Sequence, residues 1–235
     1  REPERIKQIT RAVVGAATVP VTAKIRIGWD GAHLVAVEVA RILEGEGIQA
    51  ISVHGRTFEQ GFSGRASWEA VAEVKRAVGV PVVLSGDVAA PEDAERAFAE
   101  TGCDALMVGR GSFGRPWVFA AIRDHLAGKA YAGFSHRDVA GVALRHLDLG
   151  IEEFGEHIAV RRFRKHLLWY TKGMYGVVRL RTEMCKVITR QDVAVLLEEL
   201  SEHPWQTGSG PVGSWEIDGA DACSGEASET GERNG

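Results

Sequence analysis

The spacing of apolar residues changes period again and again along the first half of the chain. Ile6, Ile9, Val13 and Ala16 recur three or four residues apart, which predicts a helix. Pro3 heads that run between Glu2 and Glu4, as at a helix start. PVTAKIRIG (Pro20–Gly28) is a short β-branched run and predicts a strand. Helical spacing returns at Val35, Val39, Ile42 and Leu43, and AISVHGRT (Ala50–Thr57) is strand-like again. Ser67 can cap a helix carrying Val71, Val74 and Val78. VPVVLSGD (Val80–Asp87) predicts a third strand and CDALMVGR (Cys103–Arg110) a fourth. Pro91 opens a helix with Ala94, Ala97 and Phe98 on one side, and Pro116 opens the helix PWVFAAIRDHL.

Strands apolar on both faces and separated by helices form parallel sheets. The connections must cross over right-handedly. Two α/β architectures fit: an open doubly wound sheet, or a (β/α)8 barrel of which four strands are half. Past Leu126 the strand pattern stops. AGKAYAGF reads as a linker, and helices alone are expected to about Glu202. Val160, Phe163, Leu167, Tyr170 and Met174 form one core stripe, with Arg161, Lys165, Trp169 and Lys172 on another face. Gly173 and Gly176 should break that helix, and RLRTEMCKVIT and QDVAVLLEELSE supply two more. The expected division is a partial barrel over residues 1–128, a helical domain over 135–203, and a tail over 206–235. That acidic, Gly- and Ser-rich tail has too little to bury and is expected to be disordered.

Composition adds little until charge is mapped. At 45% hydrophobic and 26% charged residues, the chain has the make-up of a globular protein. No run approaches the roughly 18 apolar residues of a membrane span, and no secretory signal is visible. The odd, scattered set Cys103, Cys185 and Cys223 argues for a reducing, cytoplasmic setting and against a disulfide framework or a metal site. The first residue is Arg1, so the chain is expected to be a fragment or a processed product. The net charge of −4 conceals an uneven spread. Ala159 to Arg190 carries nine Lys or Arg against one acid, Glu183. Such a stretch is either a polyanion-binding surface or a solvated helical face, and charge alone does not choose.

Each predicted strand ends on a polar or glycine signal: Lys24-Ile25-Arg26, His54-Gly55-Arg56, Ser85-Gly86-Asp87 and Gly109-Arg110-Gly111. Parallel α/β folds bind ligands at the carboxyl ends of their strands. In barrels the loops after the last two strands commonly hold a phosphate, through backbone amides and a helix N-terminus. Gly86 and Gly109 would let backbone amides approach an anion closely, with Arg110 adding charge. An inward Lys24 would be a fixed positive charge for a ligand that gains electrons. His54, at a strand tip, is expected in the site. Arg26 and Arg56 face either a polyanion at the rim or solvent. Cys103 precedes its strand and so lies at the opposite end of the sheet.

In order and spacing, PVTAKIRIGWD, SVHGRTFEQGFSGRASWEAVAEVK, PVVLSGDV and GCDALMVGRGSFGRPWVF strongly resemble the tRNA-dihydrouridine synthase family, bacterial type. FRKHLLWYTKG looks like the start of that family's helical RNA-binding domain, and the resemblance runs from about Pro3 to Leu200. It implies the second half of an FMN-binding (β/α)8 barrel, strands five to eight, followed by the helical domain. It implies that NADPH reduces the flavin, which then passes hydride to C6 of a tRNA uridine while a cysteine protonates C5. Lys24 and His54 would then contact the flavin. Ser85, Gly86, Asp87, Gly109 and Arg110 would hold its phosphate. Arg161, Arg164 and Lys165, with Arg26 and Arg56, would meet the tRNA.

The family's Pro-Met-Ala flavin contact, its glutamine and its Asn-x-Gly-Cys-Pro acid loop have no counterpart here. The general-acid cysteine is therefore expected upstream of Arg1, and no catalytic residue is assigned within the chain. Ser85 stands where the family usually has Asn, and Phe62 where it usually has Tyr. A half barrel should expose apolar surface, fold poorly and be inactive alone, whereas the full-length protein is expected to be a monomer. Two other readings stand beside this one: a different phosphate-binding barrel oxidoreductase acting on a small molecule, and a non-catalytic RNA-binding protein.

Overall fold

The computed structural model describes residues 2–131, 133–174 and 176–202. The predicted tail and Cys223 lie outside the described residues. The chain divides into two compact units, Arg1–Ser135 and His136–Gly235.

In the first unit, helix α1 (Pro3–Ala16) precedes four strands alternating with helices. These are β1 (Thr22–Arg26), α2 (Ala36–Gly45), β2 (Ala50–His54), α3 (Trp68–Ala77), β3 (Val82–Ser85), α4 (Pro91–Thr101), β4 (Ala105–Met107) and α5 (Val118–Leu126). All strand pairs are parallel and the sheet order is β1-β2-β3-β4, the order of the chain. Ser67 caps α3, its hydroxyl accepting from the Ala70 amide at 3.2 Å. Asp93 caps the start of α4 by accepting from the Ala89 and Ala90 amides.

Strand side chains alternate between two faces. On one, Ile51, Val53, Val82 and Leu84 are fully buried against Ala40, Leu43, Val71, Val74, Ala94, Ala97 and Val118. The other face carries Lys24, Ser52, Val83 and Ala105 in one register row. Arg26, His54, Ser85 and Met107 form the next row toward the carboxyl ends. Lys24, Ala105 and Met107 on this second face are exposed.

Helix α1 turns part of its apolar side to solvent. Ile9 and Val13 are 57% and 49% exposed, while Thr10 is buried. The helix leans on α2 through Val14, which approaches Gly47, and through the Arg11–Glu46 ion pair at 2.9 Å. That contact turns Thr10 inward and the Ile9–Val13 edge out.

The second unit is helical among its described residues: α6 (His136–Phe154), α7 (Glu156–Tyr170), α8 (Val178–Met184) and α9 (Arg190–Glu202). Val160, Phe163, Leu167 and Tyr170 form the buried stripe of α7, packed with Leu147, Met184, Val193, Leu197 and Leu200 in one unit. Met174 falls past the end of α7. There Arg181 donates to the Leu168 carbonyl at 2.9 Å and to Thr171 Oγ1 at 3.1 Å. A cation at a helix C-terminus satisfies otherwise unpaired carbonyls. No helix among the described residues is long and apolar enough to cross a membrane.

Candidate anion and cofactor site

The carboxyl ends of β2, β3 and β4 are laced together by their following loops. After β3 the backbone passes through Gly86 (φ 121°) and Asp87 (φ 56°). A Cβ on Gly86 would lie 2.8 Å from Ala66 Cβ and 3.2 Å from the His54 ring, so only glycine fits. The Gly86 carbonyl accepts from Trp68 Nε1 at 3.1 Å. After β4 the chain makes a short 3-10 turn, Arg110–Ser112. A Cβ on Gly111 would lie 2.8 Å from both Ala89 Cα and the Val88 carbonyl oxygen. Gly111 is thus where the loop after β4 presses on the loop after β3, and Arg115 fastens them by donating to the Ala89 carbonyl at 3.2 Å. Gly109 differs from both, since a Cβ there would meet nothing within 4 Å. The two glycine-bearing strand ends are therefore neighbours, and the space beside Gly109 is open to a ligand.

The loop after β2 covers the site from the other side. The Arg110 guanidinium lies 4.8 Å from the centre of the Phe62 ring, which is itself 6.4 Å from the His54 ring. His54 is 8% exposed. Burial, and then the charges of Arg26, Lys24 and Arg56, lower its pKa from 6.5 to about 4, so its imidazole is neutral near pH 7. A neutral ring offers one donor and one acceptor, which suits hydrogen bonding to a heterocycle. Lys24, exposed on the uncovered face, places a cation one register row below His54.

Several expected site residues are bonded to other groups of the chain. Arg56 is 2% exposed. It folds back on its own loop, donating to the Ser63 and Gly64 carbonyls at 3.1 and 2.7 Å and to Asp87 Oδ1 at 2.7 Å. Arg26 donates to the Thr57 and Gly61 carbonyls at 2.6 and 3.0 Å, so it too holds that loop. The Asp87 carboxylate is committed to Arg56 and to the Ala66 amide, 2.6 Å away, and supports the turn. In the helical unit Arg164 donates twice to the Val187 carbonyl, at 3.0 and 2.7 Å. Arg161 and Lys165 are exposed on α7, with the Lys165 ammonium 5.0 Å from the centre of the Trp169 ring. Trp68 and Arg115 escaped the sequence reading. Trp68 was legible as a tryptophan immediately after a helix cap, but its bond to Gly86 was not.

Among the described residues no cluster of metal-binding side chains occurs. Cys103 is buried in the helix-side core before β4, away from the strand tips. Cys185 follows α8 in the other unit.

A parallel sheet whose last two strand tips present glycine loops in contact, beside a cation and a neutral histidine, defines an α/β protein of the barrel type. More narrowly, the chain belongs to the dihydrouridine synthase family, whose model matches residues 1–204. It is similar to tRNA-dihydrouridine synthase B of Shewanella oneidensis, 41% identical over 171 residues, which cover 72% of this chain and 53% of that protein. The enzyme of the same name from Pseudomonas aeruginosa is 40% identical over 184 residues, 78% of this chain and 55% of that protein. The chain thus spans about half the length of the relatives it matches. Among solved structures, (S)-3-O-geranylgeranylglyceryl phosphate synthase of Thermoplasma acidophilum aligns over 51% of this chain and 54% of that one. The identity there is 18% and the TM-score 0.35.

Proposed function

We propose that this chain supplies the phosphate-holding half of an FMN site in an enzyme that reduces a uridine of tRNA to dihydrouridine, with NADPH as the source of electrons. Family membership and the names of the relatives support the reaction. One observation supports the cofactor half: the loop after β4 touches the loop after β3 where Gly111 meets Val88 and Ala89, and two residues earlier the backbone at Gly109 is open. A bound flavin would carry hydride between NADPH and the uridine ring.

The chain's own residues do the holding. Amides at the tips of β3 and β4 bind the phosphate, and Arg110 balances its charge. Arg110 is itself steadied by Phe62. Lys24 sets a fixed cation on the inner face, where a ring that gains electrons becomes more negative. His54 stays neutral and bonds the ring edge without adding charge. On α7, Arg161 and Lys165 attract the tRNA backbone, and Trp169 offers a flat face beside the cation. The family resemblance implies a cysteine as the proton donor to the uracil ring, and neither Cys103 nor Cys185 lies at the strand tips.

Mass spectrometry of tRNA from cells with and without the gene for this chain tests the reading. After deletion one or more dihydrouridine positions should appear as uridine, lighter by two hydrogens, and re-expression should restore dihydrouridine. Unchanged tRNA after deletion would refute it.

A further inference from the structure

The turn after β3 is held in a backbone shape that it would not adopt unaided. Gly86 and Asp87 are consecutive residues with positive φ, and Asp87 is the one non-glycine residue of that kind among the described residues. Such a conformation persists only where its surroundings over-determine it. Three bonds do so: Trp68 to the Gly86 carbonyl, the Ala66 amide to Asp87 Oδ2, and Arg56 to Asp87 Oδ1. All three donors come from the loop after β2 or the start of α3, and Arg56 adds bonds to the Ser63 and Gly64 carbonyls of that loop. One buried side chain thus braces the loop after β2 internally and ties it to the turn after β3, beside the Ala66 and Trp68 bonds. The planar fork of arginine allows this, and the single ammonium of lysine cannot reproduce it. Its Nη1 has no hydrogen-bond partner among the described residues. The remaining bonds and the fixed geometry must outweigh that unsatisfied donor.

Resting on the flavin reading above, we propose that Arg56 is the positioning residue of the phosphate cradle. It does not touch the ligand. Through Asp87 it sets the direction of the turn whose backbone would bind the phosphate. Preorganised donors bind an anion without the cost of ordering them first.

FMN and riboflavin separate this role from general loosening, since riboflavin has the same ring and ribityl chain but no phosphate. Both affinities are measured by flavin fluorescence quenching on the whole chain and on Arg56→Lys and Asp87→Asn. Each variant should weaken FMN binding by about tenfold or more, the lower end of what loss of an outer-shell partner costs a metal site. Riboflavin affinity should stay essentially unchanged, because riboflavin has no phosphate for the turn to hold. Asp87→Asn removes a negative charge near the phosphate, so a direct electrostatic effect would instead strengthen FMN binding. It is also nearly isosteric, so it carries the test if Arg56→Lys fails to fold. Combining the two substitutions should cost little more than the worse single one, because they break the same link. Unchanged FMN affinity in both variants overturns the proposal, as does equal loss of both flavins. A parent chain that binds FMN no more tightly than riboflavin overturns the flavin-phosphate reading itself.

Discussion

Replacing Gly109 with alanine separates ligand binding from folding at the candidate site. A Cβ there meets nothing within 4 Å, so the added methyl displaces no neighbouring atom. The stability cost should therefore be smaller than at a packed glycine, about 1 kcal/mol or less. The same methyl would stand where a phosphate oxygen has to approach the backbone. Losing one charge-assisted hydrogen bond costs about 1.5–3 kcal/mol, or roughly 10- to 150-fold in Kd. Gly111→Ala is the contrasting case, because its Cβ would lie 2.8 Å from backbone atoms of Val88 and Ala89. Forcing those loops apart should cost about 1–3 kcal/mol of stability as well as FMN affinity. Urea denaturation followed by tryptophan fluorescence, with FMN titration at each variant, reads both quantities. A Gly109→Ala protein that binds FMN as tightly as its parent would refute the reasoning, and so would one that unfolds as easily as Gly111→Ala.

Further expectations concern charge, pH and packing. Reversing Arg161 and Lys165 to glutamate should weaken tRNA binding and flatten its salt dependence in filter-binding assays while FMN affinity is unchanged, since each phosphate contact adds about one unit to the log–log slope. Arg164→Glu should instead lower stability, because Arg164 holds the Val187 carbonyl. His54 and His166 both have pKa values lowered from 6.5 to about 4, chiefly by burial. Below pH 6.5 the unfolded chain binds protons that the folded chain refuses, so their contribution is complete above that pH and is lost as pH falls toward 4. Discounted for the water that still reaches the rings, this is roughly 1–2 kcal/mol for each histidine, readable as a lower urea midpoint at pH 5 than at pH 7. Leu84→Ala, in a fully buried position, should cost about 2–5 kcal/mol by the same denaturation assay.

Three of the four strands were legible as short runs rich in β-branched residues, and the fourth, Ala105–Met107, as a short apolar run leading into Gly-Arg-Gly. The parallel order followed from the helices between them. The direction of individual side chains was far less legible. Arg26 and Arg56 both stand at or just beyond strand ends, and nothing in their spacing shows that both turn back onto the loop 57–64. Arg164 shares a helix with Arg161 and Lys165 but lies beside the buried Phe163, within reach of a carbonyl 23 residues along the chain. The period of Ile9 and Val13 predicted a helix but not its facing, and both are exposed while Thr10 is buried. In Gly-Arg-Gly the sequence suggested why glycine is needed but not that the two glycines differ. The first stands in open space, and the second is required by packing.

The central claim is that the tips of β3 and β4 grip one phosphate together. Amide chemical shifts of isotope-labelled chain, followed during titration with FMN and separately with riboflavin, test it most directly. The account predicts large shifts at Gly86 and Gly109 that saturate at the same FMN concentration and are absent with riboflavin. Shifts at only one of the two glycines, or equal shifts with both flavins, would contradict it.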